Sequence, residues 1–307
     1  MNRDGMLGAA AVTLTSILWG TTGTAASFAP TVGPLAIGAA ALGIGGMLQG
    51  VIAIPSLISQ RELLRANWKT VVLGALAVGL YPLAFYSSMR LAGVAVGSVI
   101  SLATAPLFSG MLERIIERRP LSSTWMLAAA LGILGSVLLC VSDLASGAHN
   151  AHSAHGAGSA VIPGILLALV AGATYASYSW AVKHLLTQGL PRPAAMGSVF
   201  ALGGVLLMPV LVLTGGPILA SRNSLLVAVY MALIPMFLGY LLFGYGLARL
   251  EASTATTITL LEPAVAAVLA VLVVGERLSI LGWVGVSLFA VVLILIMRGS
   301  STQRLPS

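Results

Sequence analysis

Glu262 is the residue of this sequence whose chemistry contrasts most with that of its neighbours. It lies in an apolar run, TITLLEPAV, that covers residues 257–265. A charged side chain at the centre of a bilayer costs about 2.5–3.5 kcal/mol on insertion scales, so burial favours the neutral acid. Such a carboxyl group can exchange a proton on one side of a membrane and bind a cation or an ammonium group on the other. We therefore interpret Glu262 as a proton-coupling residue; the alternative is a protonated acid that only hydrogen-bonds a neighbouring helix.

Aromatic and hydroxyl-bearing side chains recur at helical spacing elsewhere in the sequence. Thr15, Trp19 and Thr22 fall at i, i+4 and i+7, and Tyr175 and Tyr178 also share one helical face. Rings with a polar tip at mid-depth suit an amphipathic ligand and, through cation–π contact, an ammonium group. We predict a substrate cavity lined by Thr15, Trp19, Thr22, Tyr81, Phe85, Ser101, Tyr175, Tyr178, Tyr240 and Thr259. Ordinary packing is the alternative for the same residues.

Four prolines inside apolar runs predict helix kinks. They are Pro82, Pro106, Pro235 and Pro263. Each removes a backbone donor, so the carbonyl four residues earlier loses its partner. For Pro263 this is the carbonyl of Thr259. A freed carbonyl that faces a cavity can receive a substrate amine, and a kinked helix can rock. The alternative is a packing kink whose carbonyl is paired by neighbouring hydroxyl groups.

Histidine provides the candidates for a metal site. His149, His152 and His155 recur every third residue in a segment rich in Gly, Ser and Ala, a spacing that can ligate Zn²⁺ or Ni²⁺. A flexible spacer with incidental histidines explains the same pattern, so we predict no metal site and no cofactor. The single cysteine, Cys140, excludes a disulfide framework within one chain.

The elements that must position these residues are membrane helices. The sequence is 58% apolar and 7% charged, and residues 5–60 contain no Asp, Glu, Lys or Arg. The apolar runs suit helices of about 20 residues and lack the alternation of barrel strands. We predict an all-α integral membrane protein with ten transmembrane helices, at residues 6–27, 34–57, 70–89, 94–114, 123–142, 161–185, 194–214, 224–247, 253–274 and 280–297.

The distribution of basic residues predicts the orientation of these helices. With the N-terminus inside, twelve of the fifteen Lys and Arg residues lie on one side, and the other side holds Arg90, Arg222 and Arg277. The positive-inside rule then predicts a multi-pass protein of the cytoplasmic (inner) membrane with both termini in the cytoplasm. The basic residues form no patch with interleaved aromatics, which argues against nucleic acid as a partner.

The two halves of the chain resemble each other. Pro82 corresponds to Pro235, and Pro106 corresponds to Pro263. We predict a first five-helix repeat at residues 1–148, a flexible linker at 149–159 and a second five-helix repeat at 160–307. Because five is an odd number, the repeats must have opposite orientations, which is the architecture of alternating-access carriers with a substrate site near the midplane.

Short motifs occur in a fixed order along the predicted helices: LWG at residues 18–20, Pro106, LEP at residues 261–263 and GERL at residues 275–278. In this order they resemble the EamA-type members of the drug/metabolite transporter superfamily. One departure is that the first repeat ends in ERRP at residues 117–120. The resemblance implies two inverted five-helix repeats and the export of small metabolites, often amino acids or amphipathic compounds.

Together these patterns predict a proton-coupled secondary exporter of a small-molecule substrate, working by alternating access in the lipid bilayer. A divalent-metal or cationic-drug exporter that uses the histidine segment is an alternative, and removal of residues 149–155 separates the two. A membrane enzyme needs a cluster of acids or histidines at one depth. Glu262 is interpreted as a lone buried acid, so we predict that the chain is not an enzyme. A passive channel would need a ring of like groups or a filter loop, and we see neither.

Small residues also recur at helix-packing spacing. The pairs Gly46/Gly50 and Gly93/Gly97 allow helices to approach closely. They could pack within the chain or form a homodimer.

Overall fold

A computed structural model describes residues 3–146, 157–274 and 279–299. Within these ranges the regular elements are all helical, and ten helices are long and apolar enough to cross a membrane. They are α1 Arg3–Ser27, α2 Pro34–Ser59, α3 Trp68–Ala92, α4 Val94–Ile115, α5 Ser123–Ser146, α6 Ala157–Thr187, α7 Arg192–Thr214, α8 Arg222–Leu247, α9 Ala252–Val273 and α10 Ile280–Gly299. The ten predicted helices are confirmed, with ends that differ by at most four residues from the prediction.

The outer surface of the bundle carries large apolar side chains. Val212, Leu213 and Ile280 are 81%, 85% and 84% exposed. Contact with water would be unfavourable for such a surface, whereas the hydrocarbon of a bilayer matches it.

Helix contacts follow a pseudo-twofold pattern between the two halves. The α3 helix packs against α6 and, at the equivalent place, α8 packs against α1. Likewise α4 packs against α6, and α9 packs against α1. The equivalent helices α2 and α7 pack on each other, as do α5 and α10. This pattern is the one expected of two inverted five-helix repeats.

Glycines allow the backbones of α2 and α7 to approach closely. A Cβ atom on Gly46 would overlap with the Phe200 carbonyl group, and one on Gly50 would overlap with Ala201. This small-residue pair is therefore used inside the chain, and it no longer argues for a homodimer. Gly93 has a positive φ of 92° and forms the turn between α3 and α4.

The four prolines disturb their helices in different ways. Pro82 and Pro106 lie inside continuous α-helix, whereas Pro235 lies in a π-helical segment of α8, Ala232–Leu238. Near Pro263 the α9 helix is interrupted, because one α-helical segment ends at Ile258 and the next begins at Leu261. The kink predicted at Pro263 is therefore a break on its N-terminal side.

Candidate functional site

The interruption of α9 determines where Glu262 lies. The Leu260 N–H group donates to the Thr257 carbonyl (3.2 Å), and the Glu262 N–H group donates to the Thr259 carbonyl (3.0 Å). These bonds to the third preceding residue tighten the chain before the second helical segment begins. Pro263 lies in the first turn of that segment, where its missing N–H group is tolerated. Glu262 is thus at the N-terminal end of a helical segment, where the backbone dipole favours negative charge.

Thr259 is fully engaged in the protein. Its carbonyl accepts the Glu262 N–H group, so the prediction that Pro263 leaves this carbonyl without a partner is wrong. Its hydroxyl group donates to the Thr256 carbonyl (2.8 Å) and lies 2.7 Å from the Tyr175 hydroxyl oxygen. The tightened turn supplies a donor that a regular helix with proline at this position would lack.

Glu262 lines a small cavity, and five of the twelve lining residues are aromatic. The lining residues are Trp19, Thr22, Gly38, Ala41, Leu42, Tyr81, Pro82, Phe85, Tyr86, Met236, Tyr240 and Glu262. They come from the later parts of α1 and α3, the start of α2 and the middle of α8 and α9. The cavity therefore lies between the middle of the bundle and the end opposite the chain termini.

The cavity is small. Its volume is about 30 Å³, which is room for roughly two water molecules. A larger ligand would fit only if the surrounding helices separated.

The Glu262 carboxyl group has no hydrogen bond or ion pair with any residue that the structure describes. A helix clasp would need such a partner on a neighbouring helix. The described residues therefore provide no contact that would support the clasp alternative.

Half of the ten predicted cavity residues line the cavity: Trp19, Thr22, Tyr81, Phe85 and Tyr240. The other five are not among the lining residues: Thr15, Ser101, Tyr175, Tyr178 and Thr259. Of these five, Thr15 and Ser101 bond to the backbone. The Thr15 hydroxyl group donates to the Gly239 carbonyl (3.1 Å), and the Ser101 hydroxyl group donates to the Gly97 carbonyl (2.7 Å).

A layer of aromatic rings lies behind the cavity wall. Tyr175 and Tyr178 are buried, and their ring centroids lie 5.7 Å and 5.8 Å from that of Tyr81. The hydroxyl oxygens of Tyr178 and Tyr240 are 2.8 Å apart. These contacts couple α6 to the walls contributed by α3 and α8.

Trp19 joins α1 to α8 at the cavity. Its Nε1–H group donates to the Pro235 carbonyl (2.9 Å), and its ring centroid lies 4.8 Å from that of Tyr240. The N–H donor of Trp19 is therefore occupied by Pro235, and its ring contacts Tyr240.

Five lining residues were not predicted from the sequence: Gly38, Ala41, Leu42, Tyr86 and Met236. Tyr86 follows Pro82 by four residues on α3, and this helical spacing is the signal that would have found it. The small and apolar residues of α2 carry no chemical signature, so only the tertiary structure places them in the wall.

A second acid, Glu113, is buried near the end of the bundle that carries the chain termini. It is 4% exposed and accepts bonds from the Ser253 N–H group (2.8 Å) and the Ser253 hydroxyl group (2.5 Å). The carboxylate thereby caps the start of α9 from the end of α4. The interpretation of Glu262 as the lone buried acid is wrong, because from the sequence Glu113 resembled a charge at a helix end.

Charged side chains near Glu113 join several helices at the same end of the bundle. Arg119 pairs with Glu251 (Nη1 to Oε1, 2.5 Å) and with Glu117 (Nε to Oε2, 3.1 Å). The Lys183 ammonium group, near the end of α6, donates to the Leu247 carbonyl (3.2 Å) at the end of α8. These contacts connect α6 to α8, and the segment after α4 to the residue before α9, on the side that carries the chain termini.

Among the described residues, no group of three or more His, Cys, Asp or Glu side chains could hold a metal ion. His149, His152 and His155 lie outside the described ranges, as does the GERL turn at residues 275–278. What the sequence predicts for these three histidines as metal ligands therefore stays a prediction.

Comparison with known proteins places this architecture in a family. The EamA-like transporter family matches residues 6–141 and 162–298, which together are most of the chain. The chain belongs to the EamA-like transporter family. This EamA transporter therefore carries the family pattern once in each half, on either side of the central segment.

Individual relatives agree with this assignment. The uncharacterized transporter YwfM of Bacillus subtilis (strain 168) is 34% identical over 297 residues, which are 95% of this chain and 94% of that protein. The threonine/homoserine exporter RhtA of Escherichia coli (strain K12) is 28% identical over 207 residues, 64% of each chain.

A solved protein structure shares the fold. It matches with a TM-score of 0.74 over 96% of this chain and 99% of that chain, at 19% identity. Family membership and ten apolar helices make this protein a multi-pass membrane transporter and not an enzyme.

Proposed function

We propose that this EamA transporter is a proton-coupled exporter of small metabolites, amino acids or amphipathic compounds, that works by alternating access. The observation that supports the proposal is the Glu262 carboxyl group, which lines an aromatic-walled cavity and has no partner among the described residues. Ionisable residues inside membrane spans are rare, and those that face the bundle interior or a cavity mark substrate pathways and proton relays.

One carboxyl group can couple the export of a substrate to the entry of a proton if the proton and the substrate compete for it. The ionised Glu262 attracts the ammonium group of a substrate, and protonation removes the negative charge that holds it. When the cavity opens to the outside, a proton binds and the substrate leaves. When the neutral form turns inward, the proton leaves and the next substrate binds. Each cycle then moves one substrate outward and one proton inward.

The orientation follows from the basic residues. We propose that both termini lie in the cytoplasm and that the protein lies in the cytoplasmic membrane. In this orientation the cavity lies in the outer half of the bundle, and the contacts of Glu113 and Arg119 lie at the cytoplasmic end.

Relatives support export as the direction. RhtA is named as a threonine/homoserine exporter, and both of its substrates carry a primary ammonium group. The aromatic wall and the acid of this cavity suit the same group.

The test is transport by the full chain in proteoliposomes, with a panel of amino acids, amines and cationic dyes. A proton gradient should drive transport by the wild-type protein. Glu262→Gln should insert normally but show gradient-driven transport no greater than that of protein-free vesicles, because an amide cannot exchange a proton. The matched control is Glu62→Gln, which changes an exposed acid outside the ten helices.

Full gradient-driven transport by Glu262→Gln would remove the coupling role from this residue. Loss of transport in both variants would show that the assay reports damage unrelated to the cavity. Equal expression and equal gel-filtration profiles of the three proteins are required before the rates are compared.

A further inference from the structure

We infer that the cavity selects an organic ammonium ion that lacks a carboxylate, so that a simple amine binds more tightly than the corresponding amino acid. This inference rests on the proposed function and names the substrate class of the same site. It is supported by the charges, the hydrogen bonds and the aromatic rings of the cavity.

The charges of the wall match a cation. Glu262 is the one acid among the described lining residues, and no Lys, Arg or His is found among them. A zwitterionic amino acid would bring its own carboxylate close to that of Glu262. No basic side chain of the described wall would neutralise it, and removing a carboxylate from water without a partner is unfavourable.

Three of the five lining side chains that carry an N–H or O–H donor have that donor engaged within the protein, and the other two are Tyr81 and Tyr86. The Trp19 Nε1–H group donates to the Pro235 carbonyl (2.9 Å), and the Thr22 hydroxyl group donates to the Trp19 carbonyl (2.7 Å). The Tyr240 hydroxyl group is paired with that of Tyr178 at 2.8 Å. These side chains therefore offer ring faces and methyl groups to a ligand more readily than N–H or O–H donors.

The rings are arranged as a continuous wall. The ring centroids of Tyr81 and Phe85 are 5.5 Å apart, and those of Phe85 and Tyr86 are 5.3 Å apart. A cation attracted to Glu262 is stabilised where it lies over the face of one of these rings, and cation–π contact is strongest where water is excluded.

The experiment is isothermal titration of the full-length, detergent-solubilised protein at pH 8, where primary amines are protonated. The probes are two pairs that differ only by a carboxylate, phenethylamine with L-phenylalanine and 1-amino-2-propanol with L-threonine. A third probe, 3-phenylpropionate, keeps the carboxylate of phenylalanine and lacks the amine. In at least one pair the amine should bind roughly tenfold or more tightly than the amino acid, and 3-phenylpropionate should not bind.

Variants test whether Glu262 and the rings carry this selectivity. Amine binding should be lost in Glu262→Gln and kept in Glu62→Gln. Tyr86→Leu should weaken amine binding by roughly threefold more than Tyr86→Phe does, because only Phe keeps a π face.

The inference is overturned if the amino acid binds as tightly as its amine in both pairs, if 3-phenylpropionate binds, or if no amine binds. If amino acids bind more tightly than their amines and also exchange with protons in vesicles, the inference that the substrate is an amine without a carboxylate fails. The proposed transport function then stands. If amines bind as expected but no ligand moves with protons, the proposed function fails.

Discussion

Glu262 and Glu113 show how the same residue type takes two roles at the residue scale. Glu113 accepts two hydrogen bonds from Ser253 and caps the start of α9. The Glu262 carboxyl group lines a cavity and has no partner among the described residues. The flanking sequence could predict that Glu262 is buried in an apolar segment. It could not predict which acid is paired, because the partner of Glu113 lies 140 residues away.

The two acids should respond differently to substitution by glutamine. Glu113→Gln should lower stability by about 1–3 kcal/mol, because the amide removes one of two acceptors and leaves a buried donor of Ser253 unsatisfied. Glu262→Gln should not lower stability, since no hydrogen bond is lost. Thermal unfolding in detergent, followed by tryptophan fluorescence, measures both effects.

A Glu262→Gln variant that loses as much stability as Glu113→Gln would indicate that Glu262 is a structural clasp. Ser253→Ala serves as the companion variant for Glu113, because it removes the hydroxyl donor of the same contact and leaves the N–H donor.

At the scale of the helix, α9 combines a predictable feature with an unpredictable one. The ends of the ten helices follow from apolar length and from the charged or Gly-containing connections, so the sequence could locate them closely. Pro263 predicted a disturbance in α9, but the break lies between Ile258 and Leu261. The π-helical segments of α2 and α8 likewise carry no sequence signal of their own. Their hydrogen bonds depend on how neighbouring helices pack.

We expect Pro263→Ala to slow transport strongly while leaving insertion intact. An alanine at this position restores a backbone donor, so a continuous helix can form and turn the Glu262 side chain away from the cavity. Transport rates in proteoliposomes measure the effect. The matched control is Pro209→Ala. Pro209 lies inside α7 and is not among the residues that line the cavity. Unchanged transport by Pro263→Ala would show that the break is not needed for function.

For the whole molecule, the relation between the two halves is the property that the sequence predicts best. Two copies of an odd number of helices require opposite orientations, and the helix contacts show the expected pseudo-twofold pattern. The conformational state could not be predicted. It depends on contacts between the halves, such as the Arg119–Glu251 pair, whose members lie in different repeats. The cavity wall from α2 was missed for a different reason, because its residues are small and apolar and carry no chemical signature.

The central claim is that one carboxyl group serves both the proton and the substrate. The most direct measurement is proton release when a ligand binds to detergent-solubilised protein in weakly buffered solution, followed with a pH-sensitive dye from mildly acidic to neutral pH. The ligand is whichever of phenethylamine and L-phenylalanine binds in the titrations. The account predicts that wild-type protein releases protons in proportion to the ligand bound and that Glu262→Gln releases none. Ligand binding without proton release over this whole pH range, or equal release by both proteins, would contradict it.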